Sequence, residues 1–246
     1  MERHWPRWLS WHWLTERLGS ELPLVLVLLA VVIGGVWGFV ELTDEVLEGD
    51  TQSFDEWVVK SLRQPDDLSQ PIGPAWMVEV GRDLTALGGI AVLSLMTLAV
   101  SGYLLLARKY RAMIFVLLAT GTGLLLSLAL KSFFRRPRPS LVPHLSEVYT
   151  ASFPSGHAML SAIVYLTLGA LLVPLVPGRL KVYVLSIALL LTLIVGLSRI
   201  YMGVHYPTDV LAGWTAGLVW ATLSWLVLRW LQQHGHAETE ETPTTR

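Results

Sequence analysis

Six stretches of the chain, each 17 to 24 residues long, contain no Asp, Glu, Lys or Arg: 22–40, 84–107, 112–130, 158–177, 182–198 and 210–228. A helix rises 1.5 Å per residue, so about 20 apolar residues cross the roughly 30 Å hydrocarbon layer of a bilayer. A chain with six such runs is confined to a narrow set of folds, because a membrane span must satisfy its own backbone hydrogen bonds. The reading is an all-α bundle of six transmembrane helices. Composition agrees, with 53% of residues hydrophobic and 15% charged, against about 25% charged in soluble chains. A formal net charge of −1 gives no bulk reason to bind nucleic acid. The absence of cysteine excludes disulfides, thiolate metal sites and a Cys nucleophile.

Three pieces lie outside the spans. The segment 1–20 carries Trp5, Trp8, Trp11 and Trp13 with Arg7 and Arg17, a pattern expected of a short helix in the headgroup layer. Residues 42–83 are acidic, with Phe54, Trp57, Val58 and Leu62 at near-helical spacing, which predicts an amphipathic extracytoplasmic segment. The six-helix domain is expected over 21–232, and the polar Thr/Glu-rich tail 233–246 has the composition of a disordered segment. With the N-terminus inside, ten of the 18 Lys and Arg fall on the cytoplasmic side, among them Arg108, Lys109 and Arg111 in one tight loop. The expectation is a multi-pass protein of the inner (cytoplasmic) membrane.

The few remaining charges sit at helix ends. Lys131 closes the third span, His157 opens the fourth, Arg199 closes the fifth, and His205 with Asp209 opens the sixth. Spans three and five run one way and four and six the other, so all four ends converge on one membrane face. Taken singly, each cluster has an ordinary explanation. The basic run Lys131–Arg138 can be interfacial cations that snorkel to headgroups. Ser155 before Gly156 and His157 can be a plain helix cap, and His205 with Asp209 a plain ion pair. Together they fit a phosphoryl group: cations and helix-start N–H groups around its oxygens, one imidazole held by a carboxylate to attack phosphorus, and a second to protonate the leaving oxygen. A metal site from the two histidines and Asp209 competes, but Lys131, Arg138 and Arg199 would repel a divalent cation.

The chain resembles the type-2 phosphatidic acid phosphatase family, also known as the lipid phosphate phosphatase and vanadium haloperoxidase superfamily. The family motifs K-x6-R-P, P-S-G-H and S-R-x5-H-x3-D stand complete as Lys131 to Arg138-Pro139, Pro154-Ser155-Gly156-His157, and Ser198-Arg199 to His205 and Asp209. The resemblance implies a metal-independent phosphatase with no cofactor. It implies His205 as the nucleophile that forms a phosphohistidine, Asp209 as its orienting carboxylate and His157 as general acid. Lys131, Arg138, Ser155, Gly156 and Arg199 are implied as phosphate ligands. Ser198 is expected to make no direct contact, and Arg135, Arg136 and His144 to be headgroup or loop residues. The expected substrate is a membrane lipid phosphate presented from the bilayer at the extracytoplasmic face. Undecaprenyl diphosphate is the first expectation, with phosphatidate and phosphatidylglycerol phosphate close behind. A phosphatase of water-soluble monoesters and a transporter are the alternatives; transporters place ionisable groups near the midplane, and this chain does not.

Overall fold

The computed structural model describes residues 22–146 and 150–235. The expected headgroup helix at 1–20 and all but the first residues of the polar tail lie outside this range. Eight helices follow in order among the described residues: α1 (Leu22–Glu48), α2 (Gln52–Ser61), α3 (Trp76–Ala86), α4 (Ile90–Leu106), α5 (Tyr110–Phe134), α6 (Gly156–Leu172), α7 (Gly178–Tyr201) and α8 (Pro207–Gly235). The protein is an all-α bundle. The α6 helix continues into a short 3-10 turn, Val173–Leu175. Among the described residues five helical segments are long and apolar enough to cross a bilayer, and α3 and α4, bent by 44° at their break, are so together.

That bend departs from the single straight span expected over 84–107. It falls at Gly88-Gly89, where a helix is weakest, and packing holds it. A Cβ on Gly88 would lie 2.3 Å from Val195 Cγ1 and 3.3 Å from the His157 carbonyl oxygen, so only glycine lets the break press on α6 and α7. The Leu87 carbonyl at the break accepts from Tyr165 Oη at 2.7 Å, which satisfies a backbone group that lipid would leave bare.

The α6 helix runs through the centre. Ala158, Met159, Ile163 and Val164 are all within 3% of complete burial, and α5, α7 and α8 pack around it. Lipid tails are as apolar as Leu, so membrane helices associate through close backbone approach at small residues. The α6–α8 seam has that form: Cβ atoms on Gly213 and Gly217 would stand 2.6 Å from the carbonyl oxygens of Ser155 and Met159. Leu95, Leu98, Leu106 and Val182 point outward and are more than 60% exposed, as a lipid-facing surface requires.

Residues 42–83 differ from a single amphipathic helix. The α1 helix continues to Glu48, and an antiparallel hairpin, β1 (Arg63–Gln64) with β2 (Asp67–Pro71), separates α2 from α3. The α2 helix is amphipathic, but its inner stripe is Asp55, Val59 and Leu62, with Val58 beside it. Phe54 and Trp57, two of the apolar positions of the expected amphipathic segment, are 49% and 65% exposed. They flank the stripe and face outward, because α2 lies flat against the helix ends and turns only one narrow face to them. At the other terminus α8 extends to Gly235, a little past the expected domain limit at 232.

Candidate active site

The α5 helix stops where Arg135 takes a left-handed conformation, φ 48°, its N–H donating to the Lys131 carbonyl. Pro137 and Pro139 then prevent helix from resuming. The described residues that follow, 136–146 and 150–155, bring Arg136, Arg138 and Ser152 to the ends of α7 and α8. All eight residues expected at the site lie in this one region.

His205 sits in the turn between α7 and α8 and is 1% exposed. Its Nδ1 lies 3.3 Å from Asp209 Oδ2 and from Ser152 Oγ. An ionised Asp209 only accepts, so Nδ1 carries the proton, and Nε2 keeps a lone pair that accepts from Arg138 Nη1 at 3.1 Å. Pro207 opens α8 and puts Asp209 in its first turn, four residues beyond His205 and able to reach back to it. Burial, opposed by Asp209 and reinforced by Arg138 and Lys131, lowers the His205 pKa to about 3. The resting imidazole is therefore neutral across the physiological range, with Nε2 available.

Three cations cluster here, of which Arg138 and Lys131 lie within electrostatic reach of that imidazole. Lys131 Nζ donates to the Ala151 carbonyl at 2.7 Å. Arg138 donates to the carbonyls of Val204 and Thr150, at 2.6 and 2.9 Å. Arg199 is 2% exposed, its Nε has no hydrogen-bond partner, and no carboxylate pairs with it among the described residues. Lys131, Arg138 and Arg199 lie within electrostatic reach of one another. Buried cations are normally paired, so a group of three with neutral acceptors or none marks a place for an anion.

The start of α6 completes the enclosure. Ser155 caps the helix, though its Oγ stands 3.5 Å from the Ala158 N–H, and its own N–H donates to the Asp209 carbonyl at 2.8 Å. The Gly156 and His157 N–H groups meet no acceptor among the described residues. A Cβ on Gly156 would approach Lys131 Cε to 3.0 Å, so the glycine lets the lysine close over the helix start. His157, half-buried, lies within electrostatic reach of Arg199, His205, Lys131 and Arg138. Ser198 faces elsewhere: its Oγ donates to the Val195 carbonyl and accepts from Thr85 Oγ1 at 2.6 Å.

Arg135 and His144 behave as expected of the loop. Arg135 Nε donates to the Ser132 carbonyl, and His144 pairs with the Pro139 carbonyl. Arg136 does not. Its side chain is 11% exposed and bridges two buried carboxylates, donating to Asp209 Oδ1 at 2.7 Å and to Asp55 Oδ2 at 2.9 Å. Ser152 donates a short hydrogen bond to Asp209 Oδ2. Neither Ser152 nor Asp55 stands out in sequence by motif. Asp55 did leave a trace, as a carboxylate in line with Val59 and Leu62 on an otherwise apolar helical stripe.

Comparison with known proteins shows the family. The PAP2 superfamily model matches residues 111–233. Phosphatidylglycerophosphatase B of Bacillus subtilis (strain 168) is 34% identical over 186 residues, 74% of this chain and 86% of that protein. An undecaprenyl-diphosphatase of Sulfolobus acidocaldarius is 38% identical over 66 residues, 27% of this chain and 28% of that one. The crystal structure of a transmembrane PAP2 type phosphatidylglycerolphosphate phosphatase from Bacillus subtilis superposes with a TM-score of 0.72 at 30% identity, covering 87% of this chain and 98% of that chain. A buried neutral imidazole among cations that have no carboxylate hydrogen-bond partner among the described residues is thus met with likeness along most of the chain: the chain belongs to the PAP2 superfamily and is a membrane-embedded phosphatase of that type.

Proposed function

We propose that this phosphatase removes the terminal phosphate of a membrane lipid, with a phosphatidylglycerophosphate-type monoester as the first substrate, through a phosphohistidine on His205. The observation that carries the reading is Arg199, buried with no carboxylate partner among the described residues and within electrostatic reach of Lys131 and Arg138. A phosphate dianion supplies the missing charge, and the three cations with the Gly156 and His157 N–H groups meet its oxygens. His205 Nε2 attacks phosphorus, forming the N–P bond as the bond to the lipid oxygen breaks. His157 gives its proton to that oxygen, and the lipid alcohol leaves. A water then attacks the phosphohistidine, His157 takes the water's proton, and the N–P bond breaks to release phosphate. The cation excess disfavours a divalent metal at this site.

Likeness along 86% of a phosphatidylglycerophosphatase moves that monoester ahead of undecaprenyl diphosphate, the first expectation from sequence. The diphosphate stays as the second reading on the 66-residue likeness to an undecaprenyl-diphosphatase. Phosphate release from phosphatidylglycerophosphate, phosphatidate, undecaprenyl diphosphate and a water-soluble monoester, each in detergent with EDTA, tests both readings. The expected result is fastest release from phosphatidylglycerophosphate, persisting in EDTA and blocked by vanadate, which mimics five-coordinate phosphorus. Preference for the water-soluble ester refutes the lipid reading. Loss of turnover in EDTA, restored by Mg²⁺, refutes the metal-free mechanism.

The active face is proposed to be extracytoplasmic in the inner membrane, with the basic loop at Arg108, Lys109 and Arg111 inside. The chain has no cysteine of its own, so single cysteines report cleanly. Cysteines replacing the exposed Ser69 and His144 are expected to label with an impermeant maleimide in intact cells, and one replacing Arg179 is not. The opposite pattern places the site on the cytoplasmic side.

A further inference from the structure

Asp55 lies 154 residues before Asp209 and on no motif, yet it shares a guanidinium with it. Arg136 Nη1 binds Asp209 Oδ1, and Arg136 Nη2 binds Asp55 Oδ2. The guanidinium is held in place from several sides. It stacks over Tyr206, 4.7 Å from the ring centroid, and Nη1 also donates to Thr208 Oγ1 at 2.9 Å. Thr208 in turn donates to Asp55 through its backbone N–H, at 3.1 Å, and its hydroxyl, at 2.5 Å. Asp55 is fully buried, and among the described residues its carboxylate is held by Arg136 and by Thr208 in the first turn of α8.

Charge explains why a second buried carboxylate is present. An Arg136–Asp209 pair alone would be neutral. When His205 Nε2 bonds to phosphorus with Nδ1 still protonated, the ring becomes a cation, and a neutralised Asp209 would stabilise it poorly. With Asp55 on the other side of the guanidinium, the trio carries a net charge of −1, and Asp209 keeps its negative character toward the imidazole while Arg136 fixes its orientation. We propose that Asp55 of α2 is a positioning residue of the phosphatase reaction, acting through Arg136 to hold Asp209 in place and to keep it negatively charged toward His205. The proposal rests on the reading of His205 as nucleophile.

The test compares kcat and KM for phosphate release by purified wild type, Asp55→Asn, Arg136→Gln and the Asp55→Asn/Arg136→Gln double variant, with His205→Ala as control. Asp55→Asn is expected to lower kcat about 10–100-fold, the range outer hydrogen-bond partners of a working histidine carry in metal sites, with KM little changed. The double variant removes the excess positive charge that Asp55→Asn leaves. It is expected to regain about fivefold in kcat over Asp55→Asn, a coupling ordinary for residues of one network. A mere brace between α2 and α8 predicts the reverse, since removing both partners loosens it further. A double variant no faster than Asp55→Asn, or an Asp55→Asn with wild-type kcat, overturns the proposal. If Asp55→Asn does not purify as a folded protein, the double variant decides against wild type, and a kcat loss beyond about 100-fold overturns it. An active His205→Ala would instead overturn the nucleophile reading and this proposal with it; an inactive one leaves any failure of the Asp55 series to the proposal alone.

Discussion

His205→Ala is expected to abolish turnover on every substrate, lipid or soluble, and with it any acid-labile phosphoenzyme trapped by quenching. Among the described residues the other groups at the imidazole are already engaged: Ser152 donates to Asp209, Asp209 holds Nδ1, Lys131 and Arg138 are cations, and His157 is the proposed acid. His157→Ala is expected to behave differently. Loss of a general acid slows reaction typically by 10²–10⁴-fold, but only where the leaving oxygen needs a proton. In kcat/KM, which reports formation of the phosphoenzyme and not its hydrolysis, the full loss should appear with a lipid alcohol; with p-nitrophenyl phosphate, whose anion leaves unaided, most of it should vanish. The two histidines are thus separated by the leaving group, a comparison that misfolding cannot imitate, since a damaged site slows both substrates alike. Phosphate trapped on His157, or a His157→Ala deficit independent of leaving group, reverses the assignment.

Arg199→Met is expected to cost activity and raise stability together. Arg199 is 2% exposed and has no carboxylate partner among the described residues, so burying its charge is costly, and apolar replacement of similar length relieves that cost. Its return comes when phosphate arrives. Removing one donor aimed at developing charge costs about 10²–10³-fold in turnover, and the Arg199→Met deficit in kcat/KM is expected at that level. Thermal melting in detergent should move upward for the variant without ligand, and the stabilisation that vanadate gives wild type should shrink. A lower melting temperature with activity retained would make Arg199 a structural cation.

These expectations draw unequally on sequence and on three-dimensional structure. The spans are legible in the chain because lipid imposes a local demand, a run of apolar residues long enough to cross it, and a run is a property of consecutive residues. Convergence of Lys131, His157, Arg199 and His205 on one face follows from the same demand, since successive spans must alternate in direction. The His205–Asp209 contact is one helical turn and is equally local.

Other features depend on contacts between distant segments. Arg136 reads in sequence as one more interfacial cation of a basic run; only α2 folding back across the helix ends gives it Asp55 on one side and Asp209 on the other. Phe54 and Trp57 have helical spacing whichever way they face, and the choice of Asp55, Val59 and Leu62 as the inner stripe is made by what lies beneath α2. The break between α3 and α4 hides inside a run of uninterrupted hydropathy, because Gly88-Gly89 is tolerated in a straight membrane helix and bends here under the contact with Val195 and His157. Hydropathy and motif spacing record what each residue needs from solvent and from its near neighbours. Which distant carboxylate meets which guanidinium is decided by packing, through side chains 81 and 73 residues apart in the chain.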